Sequence, residues 1–398
     1  MKKIFLIFLL FYSPSAFSKT LTGLDILEKE NFSVLKGKKV GLISNHSALN
    51  SKGEHILKVF NRADNFELKA IFSPEHGFSG QVEGGVHIAN SSSSAGVPIY
   101  SLYGKNKRPQ AELLKDLDIL VFDIQDIGAR FYTYLTTMGY AMEEAAKNNI
   151  SFLVLDRPNP IGLEIYEGPI LSENISAFTA YYPVPVRHAL TAGETALFHK
   201  KNKNLKLDLK IIKAENYSRK DFFNDTALTW TNPSPNIRDL DAAILYPGLG
   251  CFEASNVSVG RGTDSPFHWF GAPWMKAKKI AKKLNAANIK GVKFKVQKRT
   301  PKNDLYEKEE CEGIEIELIE PKAVRSLDIF VHAAYWLKKI NGKKFLLKKE
   351  DIARMTGTYD FYEMIENGKK PEEIISFFEN SNSDFLKKLK KDGILLYE

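Results

Sequence analysis

The chain has 398 residues, 43% of them hydrophobic, and a formal net charge of +8 at pH 7. This length exceeds that of one typical domain, so we expect two. Apart from short lysine-rich patches such as residues 387–391, the positive charge is diffuse, which argues against nucleic-acid binding and leaves only a modest attraction to anionic polymers open.

The first eighteen residues have the pattern of a secretory signal peptide. Lys2 and Lys3 precede a short apolar run at residues 4–12, and Ala16 and Ser18 are the small residues expected before a cleavage site. The run falls short of the roughly 18 apolar residues of a membrane-spanning helix. We therefore expect cleavage after Ser18, a net charge of +6 without the two lysines, and a periplasmic or secreted protein with no stable membrane anchor.

The two cysteines, Cys251 and Cys311, do not define a site. Export permits a disulfide bond, but spacing alone does not establish one, and two isolated buried thiols fit equally well. Neither cysteine has a second Cys or His at ligand spacing beside it, so no zinc site is expected.

Strand-like and helix-like segments alternate in the first half of the chain. The strand patterns are "KKVGLIS" (38–44), "FELKAIF" (66–72), "DILVFDI" (118–124) and "ISFLVLD" (150–156), and helical spacing occurs at 53–63 and from about 132 to 147. Largely apolar strands separated by helices predict an α/β domain whose parallel sheet has helices on both faces. No G-x-G-x-x-G or G-x-x-x-x-G-K-[ST] motif is present, so a dinucleotide or phosphate-binding loop is not expected.

Each of the four predicted strands runs into polar residues. Ligands of such sheets bind outside the carboxyl ends of the strands. One polar strand end is typical of a helix cap, but four in succession favour a common cleft. The candidates from these ends are Asn45, His46, Glu75, His76, Asp123, Asp126, Arg130, Tyr132, Asp156 and Arg157.

The middle of the chain is rich in loops. A helix is expected at about 193–200, and the irregular stretches 230–241 and 246–274 are of the kind that usually carries function. Their aromatic residues fit either a loop core or a wall on which a sugar ring stacks. From about residue 275 lysine-rich helices and short strands at 292–297 and 313–320 predict a smaller α+β domain, so we expect domains at 19–274 and 275–398. The further binding candidates here are Arg187, His188, Glu253, Asn256, Arg261 and Asp264.

The residue types at these positions favour proton transfer by carboxylates. No G-x-S-x-G motif occurs, and neither cysteine has a histidine partner nearby in sequence. A metal site from His46, His76, Asp123 and Asp126 lacks a recognised ligand spacing. Paired carboxylates are the arrangement that cleaves glycosidic bonds, and the candidate acids are Glu75, Asp123, Asp126, Glu167 and Glu253.

An ordered set of motifs extends over nearly the whole chain after residue 21. It comprises "GLISNHSALN", "SPEHGFSG", "SLYG", "FDIQDIGARFYTY", "LDRPNPIG", "EGP", "RHALTAGE", "PSPNI", the run from "YPG" through "NVSVGRGTD" to "GAPW", and "TGTYDFYEMIENGKKPEEII". Each motif alone is weak, but the set resembles the exo-β-N-acetylmuramidases of the NamZ type. His46 and Ala48, and Ala254-Ser255 where Gly-Thr is usual, depart from the family pattern.

The resemblance implies a Rossmann-like catalytic domain, a smaller C-terminal auxiliary domain and a cleft between them. It implies release of N-acetylmuramic acid from the non-reducing ends of peptidoglycan fragments. We expect no cofactor. The glutamate of the family's P-E-H-G motif matches Glu75. Two alternatives stay open, a cell-wall sugar-binding protein without turnover and a metal-dependent hydrolase. Arg130, Arg187 and Arg261 are our candidates for the lactyl carboxylate of muramic acid, since a guanidinium matches a carboxylate with two parallel hydrogen bonds.

Overall fold

The computed structural model describes residues 19–84, 86, 89–93 and 96–398. The expected signal peptide, residues 1–18, lies outside the described residues. Within the described ranges, no helix has both the length and the apolar character needed to cross a bilayer.

Within the described part of the chain, the larger of two sheets has seven strands in the order β3-β4-β2-β1-β5-β6-β7. All neighbouring strands run parallel except β3, which pairs antiparallel with β4. The four strands predicted from sequence are confirmed as β1, β2, β5 and β6. The strands are β1 Lys39–Ser44, β2 Glu67–Ser73, β3 Ser91–Ser92, β4 Pro98–Ser101, β5 Ile119–Asp123, β6 Ser151–Leu155 and β7 Leu209–Ile212.

Helices connect these strands and continue to the C-terminus. The predicted helix at 53–63 is shorter than expected, because His55 caps a helix that begins at Ile56. The helices are α1 Gly23–Lys29, α2 Ile56–Phe60, α3 Ala111–Leu114, α4 Tyr134–Lys147, α5 Ala192–Asn202, α6 Leu240–Leu249, α7 Ala277–Ala286, α8 Ser326–Asn341, α9 Lys349–Thr356, α10 Asp360–Glu366, α11 Pro371–Asn382 and α12 Phe385–Lys391.

Both faces of the large sheet are buried under helices. Along β5, Leu120 and Phe122 belong to the core that includes α4, whereas Ile119 and Val121 belong to a second core that includes α1 and α2. This alternation follows from the two-residue repeat of a strand. The predicted α/β sheet with helices on both faces is therefore confirmed.

The smaller sheet is antiparallel, with the order β8-β10-β9. It is covered by α7, which packs in turn against α8, and this confirms a second unit of α+β type. The first of its strands precedes residue 274, and the expected domain boundary there stays a prediction. The strands are β8 Trp269–Ala272, β9 Val292–Arg299 and β10 Cys311–Leu318.

The expectation of an irregular chain from residue 246 to 274 is wrong at both ends. The last turn of α6 contains Pro247 and is followed by a 3₁₀-helix at Gly250–Ala254, and β8 occupies the other end. Gly248 allows α6 to lie against α8, since a Cβ atom there would stand 1.9 Å from the carbonyl oxygen of Ser326. Tight packing between helices therefore replaces the predicted loop.

Candidate active site

A cleft of about 370 Å³ opens at the carboxyl ends of β2 and β5. Strand β1 lies between them, and the chain order reverses there, which is where parallel sheets bind ligands. The opposite wall comes from the 3₁₀-helix Gly250–Ala254 and from α9. The lining includes Glu75, His76, Phe131, Tyr132, Thr133, Asn236, Tyr246, Glu253, Arg261, Phe267, Asp351 and Arg354.

Glu75 projects into this cleft from a tight turn directly after β2. The amide of Gly77 donates to the carbonyl of Pro74 at 3.1 Å, and His76 adopts a positive φ of 68°. A positive φ outside glycine is uncommon and is found often at functional sites. The hydroxyl of Thr133, the N-cap residue of α4, donates to Oε2 of Glu75 at 2.6 Å. The turn and this hydrogen bond together fix the direction of the carboxyl group.

The imidazole of His76 is held by the loop that follows it. Its Nδ1 lies 2.7 Å from the carbonyl oxygen of Val82, and because a carbonyl only accepts, Nδ1 carries the proton. In a neutral ring Nε2 is then an acceptor. A Cβ atom on Gly84 would lie 3.4 Å from Oε1 of Glu75 and 3.5 Å from Cε1 of His76. The loop thus passes directly over both side chains.

Glu253 is the second carboxyl group that lines the cleft. Nη1 of Arg261 donates to it at 2.9 Å, while Nε of the same arginine lies 2.7 Å from Asp304. Although about 29% of the Glu253 side chain is exposed, desolvation by the cleft walls raises its pKa above the ordinary value. Arg261 opposes this rise, and the negative charges of Asp304 and Glu75 add to it. Glu75 and Glu253 therefore influence each other across one site.

Aromatic rings form part of the cleft wall. Tyr246 lies 4.7 Å from Phe267, 5.2 Å from Phe131 and 5.9 Å from Tyr132, measured between ring centroids. The sequence leaves open whether the other aromatic residues of 230–241 and 246–274 form a core or a wall for sugar stacking, and in the structure they pack in or against the core. Phe252 and Trp269 are fully buried.

Several predicted site residues form sealed contacts behind the strand ends, and none of them is among the residues that line the described cleft. Asp123 is buried and receives two hydrogen bonds from the guanidinium of Arg157. Asp156 accepts from Thr191 at 2.7 Å and from the amide of Gly193 at 2.8 Å, at the start of α5. These geometries hold strand ends to helices.

The same holds for Asp126 and the two buried arginines. Oδ2 of Asp126 accepts from the amide of Gly128 at 2.7 Å and lies 3.4 Å from Nε2 of His188. Arg187 is 1% exposed and paired with Glu167 at 3.0 Å. Arg130 donates to the carbonyls of Pro169, Val184 and Met355.

The remaining four candidates have protein partners and are not among the cleft-lining residues, and one of them, Asn45, is fully buried. Asn45 accepts from the amide of Ser47 at 3.0 Å, and Nε2 of His46 lies 2.8 Å from the carbonyl of Asn232. The other two lie toward the C-terminal half. There, Asn256 bridges to the backbone of Lys344 and Leu346, and Asp264 is 83% exposed and contacts Arg299. Of the sixteen predicted residues, the cleft therefore brings together Glu75, His76, Tyr132, Glu253 and Arg261.

The structure adds cleft residues that the sequence does not single out. Thr133 stands next to Tyr132 in the quoted motif, but its contact with Glu75 spans 58 positions and has no local signal. Asp351 and Arg354 belong to α9, in a region without an acid–base pattern. Nothing in the local sequence places that helix opposite β2.

Both cysteines are buried and free. Among the described residues, no group of three or more His, Cys, Asp or Glu side chains is arranged to hold a metal ion.

Comparison with protein families shows to which family the chain belongs. A model described as exo-beta-N-acetylmuramidase NamZ, N-terminal, matches residues 40–241, and its C-terminal counterpart matches residues 244–397. The chain belongs to this family. The peptidoglycan beta-N-acetylmuramidase NamZ of Bacillus subtilis (strain 168) is 36% identical over 375 residues, which cover 94% of this chain and 91% of that protein.

Solved structures agree with the NamZ assignment. Two crystal structures of DUF1343 family proteins from Bacteroides fragilis NCTC 9343 superpose with TM-scores of 0.87 and 0.77, at 33% and 31% identity. Each match covers 96% of this chain and 99% of the other. In this chain the cleft joins the two NamZ segments, since Glu75 and Thr133 come from the first and Glu253 and Arg354 from the second.

Proposed function

We propose that this protein is an exo-acting glycoside hydrolase that releases N-acetylmuramic acid from the non-reducing ends of peptidoglycan fragments. The observation that carries the proposal is Glu75, which projects into a cleft formed by both NamZ segments and is oriented by Thr133. A volume of about 370 Å³ lies in the lower part of the range for small-ligand pockets, which suits one terminal sugar better than a long glycan.

In this proposal Glu75 delivers the proton to the leaving oxygen. The hydroxyl of Thr133 can donate to the ionised carboxylate and accept from the protonated acid, so it orients Glu75 in both protonation states. We assign Glu253, on the opposite wall, as the second carboxyl group of the paired arrangement that many glycosidases use. Its role is to act on water or on the positive charge that grows at the anomeric carbon.

Arg354 is our candidate for the lactyl carboxylate of muramic acid. Arg130 and Arg187 are occupied in the interior, and Arg261 already contacts Glu253 and Asp304. Arg354 lines the cleft, is 46% exposed and pairs with Asp351 from its own helix at 3.1 Å. Its guanidinium retains donors for a bidentate carboxylate contact.

We also propose that the protein is exported. The pattern of residues 1–18 supports delivery to the periplasm or the exterior, where peptidoglycan is found. Fractionation, with sequencing of the mature N-terminus, tests this. A mature chain that begins at Lys19 is the expected result, and an uncut chain in the cytoplasm would contradict it.

The activity is tested with a chromogenic N-acetylmuramic acid glycoside and a defined peptidoglycan disaccharide. The expected products are the chromophore and free N-acetylmuramic acid. Binding of the disaccharide without release of sugar would instead indicate a cell-wall binding protein that has lost turnover.

A further inference from the structure

A long segment of the second NamZ region is uniformly basic. Residues 265–303 contain eleven lysines and arginines and no aspartate or glutamate. This contrasts with the chain as a whole, in which 56 basic residues are balanced by 48 acidic ones. The segment contains α7 and β9.

The two faces of α7 have opposite character. Its buried side consists of Ala277, Ile280, Ala281 and Leu284. Its exposed side carries Lys278, Lys279, Lys282 and Lys283. In the part of the chain that the structure describes, none of these four lysines forms an ion pair, and the first turn of α7 contains no acid. This set of four lysines is called the α7 face.

The α7 face is unfavourable for the helix that carries it. Lys278 and Lys282, and likewise Lys279 and Lys283, are four residues apart, where like charges repel. The first two also lie near the N-terminus of the helix, where the dipole disfavours cations. On α12, by contrast, the first lysine pairs with Asp384 at 3.2 Å and the others follow toward the C-terminal end. An uncompensated local conflict of this kind is typical of a functional surface.

The cationic surface continues on both sides of α7. Nζ of Lys283 lies 4.9 Å from the ring centroid of Trp336 on α8, and Nζ of Lys339 lies 5.6 Å from the same ring. On the other side, a groove of about 530 Å³ between α7 and β9 is bordered by Asn285 and Lys293. The β9 lysines 295 and 298 pair with glutamates at 2.7 Å, whereas the four lysines of the α7 face have no such partner among the described residues.

We propose that the α7 face is a binding surface for an anionic cell-wall glycan and holds the enzyme on its insoluble substrate. The proposal rests on charge complementarity. Carboxylates repeated along a glycan would provide the negative charges that residues 265–303 do not provide for these lysines. The choice of glycan rests on the proposed function. No residue of α7 lines the cleft, so glycan binding and hydrolysis use separate surfaces.

The test is co-sedimentation of the full chain with purified insoluble peptidoglycan at low salt. The test variant is K278Q/K279Q/K282Q/K283Q. The matched control, K387Q/K388Q/K390Q/K391Q, removes four lysines from another exposed helix and has the same net charge. We expect the apparent Kd to rise at least about tenfold in the test variant and to change less than about twofold in the control, since each lysine near an anionic surface contributes separately.

A second measurement separates this proposal from the proposed function. Hydrolysis of a soluble chromogenic glycoside should be unchanged in the test variant, while release of sugar from insoluble peptidoglycan should fall. If the wild type hydrolyses neither substrate, the proposed function fails, and the co-sedimentation result still decides the role of the α7 face.

Three outcomes would overturn the proposal: equal losses of binding in the two fourfold variants, binding that survives about 0.5 M salt undiminished, and equally tight binding of duplex DNA. Thermal melting verifies folding, and the test variant should melt close to wild type, because relief of like-charge repulsion offsets loss of the contact between Lys283 and Trp336. If it does not fold, K278Q/K282Q replaces it, and no loss of binding in that variant counts against the proposal.

Discussion

The charged residues that the sequence singles out fall into two groups with opposite environments. Glu75 and Glu253 face an open cleft, and each has a partner that leaves part of the carboxyl group free. Asp123 with Arg157, and Glu167 with Arg187, are sealed pairs with at most about 5% of any side chain exposed. A polar residue at the end of a strand can therefore serve either chemistry or the anchoring of the sheet.

The cleft residues and the sealed pairs differ in which atoms satisfy the hydrogen-bonding groups that the first partner leaves free. The guanidinium of Arg187 also donates to the carbonyls of Ile161 and Val324, and Glu167 also accepts from the amide of Leu327. Protein atoms thus leave no room for a ligand there. In the cleft the corresponding capacity is left to a substrate, so mutations in the two groups should separate activity from stability.

The largest expected effect is on turnover, from Glu75→Gln. Glutamine retains the shape and the contact with Thr133 but cannot deliver a proton, so we expect kcat to fall at least about a hundredfold. Binding of the disaccharide and the melting temperature should change little. Near-normal kcat in a folded variant would remove Glu75 from the mechanism and leave Glu253 as the carboxyl group of the cleft that could act as the acid.

Arg187→Met should act on stability instead. It leaves the buried carboxylate of Glu167 without its partner, which destabilises by about 3–5 kcal/mol and lowers the Tm by roughly 4–6 °C in a chain of this size. The same change at the exposed Arg354 is the control and should shift the Tm by less than about 1 °C. If Arg187→Met kept its Tm but no longer distinguished muramic acid from glucosamine, Arg187 would belong to the substrate site.

Arg354→Ala should affect substrate choice. Loss of a charge-assisted contact to the lactyl carboxylate is expected to raise KM for the muramic acid glycoside about tenfold. The KM for the matching N-acetylglucosamine glycoside, which has no lactyl group, should stay the same. If this variant still preferred the muramic acid glycoside as strongly as the wild type does, Arg261 would become the candidate for binding the lactyl carboxylate.

The smallest effect concerns pH. Arg261 holds the pKa of Glu253 below the value that burial alone would give, so Arg261→Gln should raise that pKa further. Because protonation then begins at a higher pH, the acidic limb of the kcat/KM profile should move to higher pH if Glu253 acts in its ionised form. Arg238→Gln, which alters an arginine bonded to backbone carbonyls outside the cleft, is the control. An unmoved acidic limb would argue against an ionised Glu253 in the reaction.

The sheet is the part of the fold that could be predicted locally. Strands β1, β2, β5 and β6 are short apolar runs, and their predicted bounds agree with the observed ones to within one or two residues. Helix α6 was obscured by Tyr246-Pro247-Gly248, which has the composition of a turn. Its helical state depends on contact with α8, a partner about 80 positions away, and no local pattern records that contact.

The site was predicted in part, for the same reason. Strand ends identified Glu75 and Tyr132 because the edge of a parallel sheet is fixed by its topology. Position at a strand end does not distinguish the cleft residue Glu75 from the enclosed Asp123, since both are acids at the end of an apolar strand. Only the tertiary position of Arg157 shows that one of them is neutralised and enclosed. The positions of Thr133 and Arg354 in the cleft depend on long-range packing, so no local pattern predicts them.

Arg130 has a consequence for which side chains of the cleft wall can be replaced without loosening that wall. Its guanidinium connects the sheet side of the protein to α9, and the three hydrogen bonds described for it end on backbone carbonyls. A carbonyl is present whatever the side chain, so Met355 and its neighbours on the cleft wall are free to vary without loosening this attachment. Side chains of α9 that line the cleft can therefore be replaced while both this attachment and the Thr133 contact that orients Glu75 stay in place.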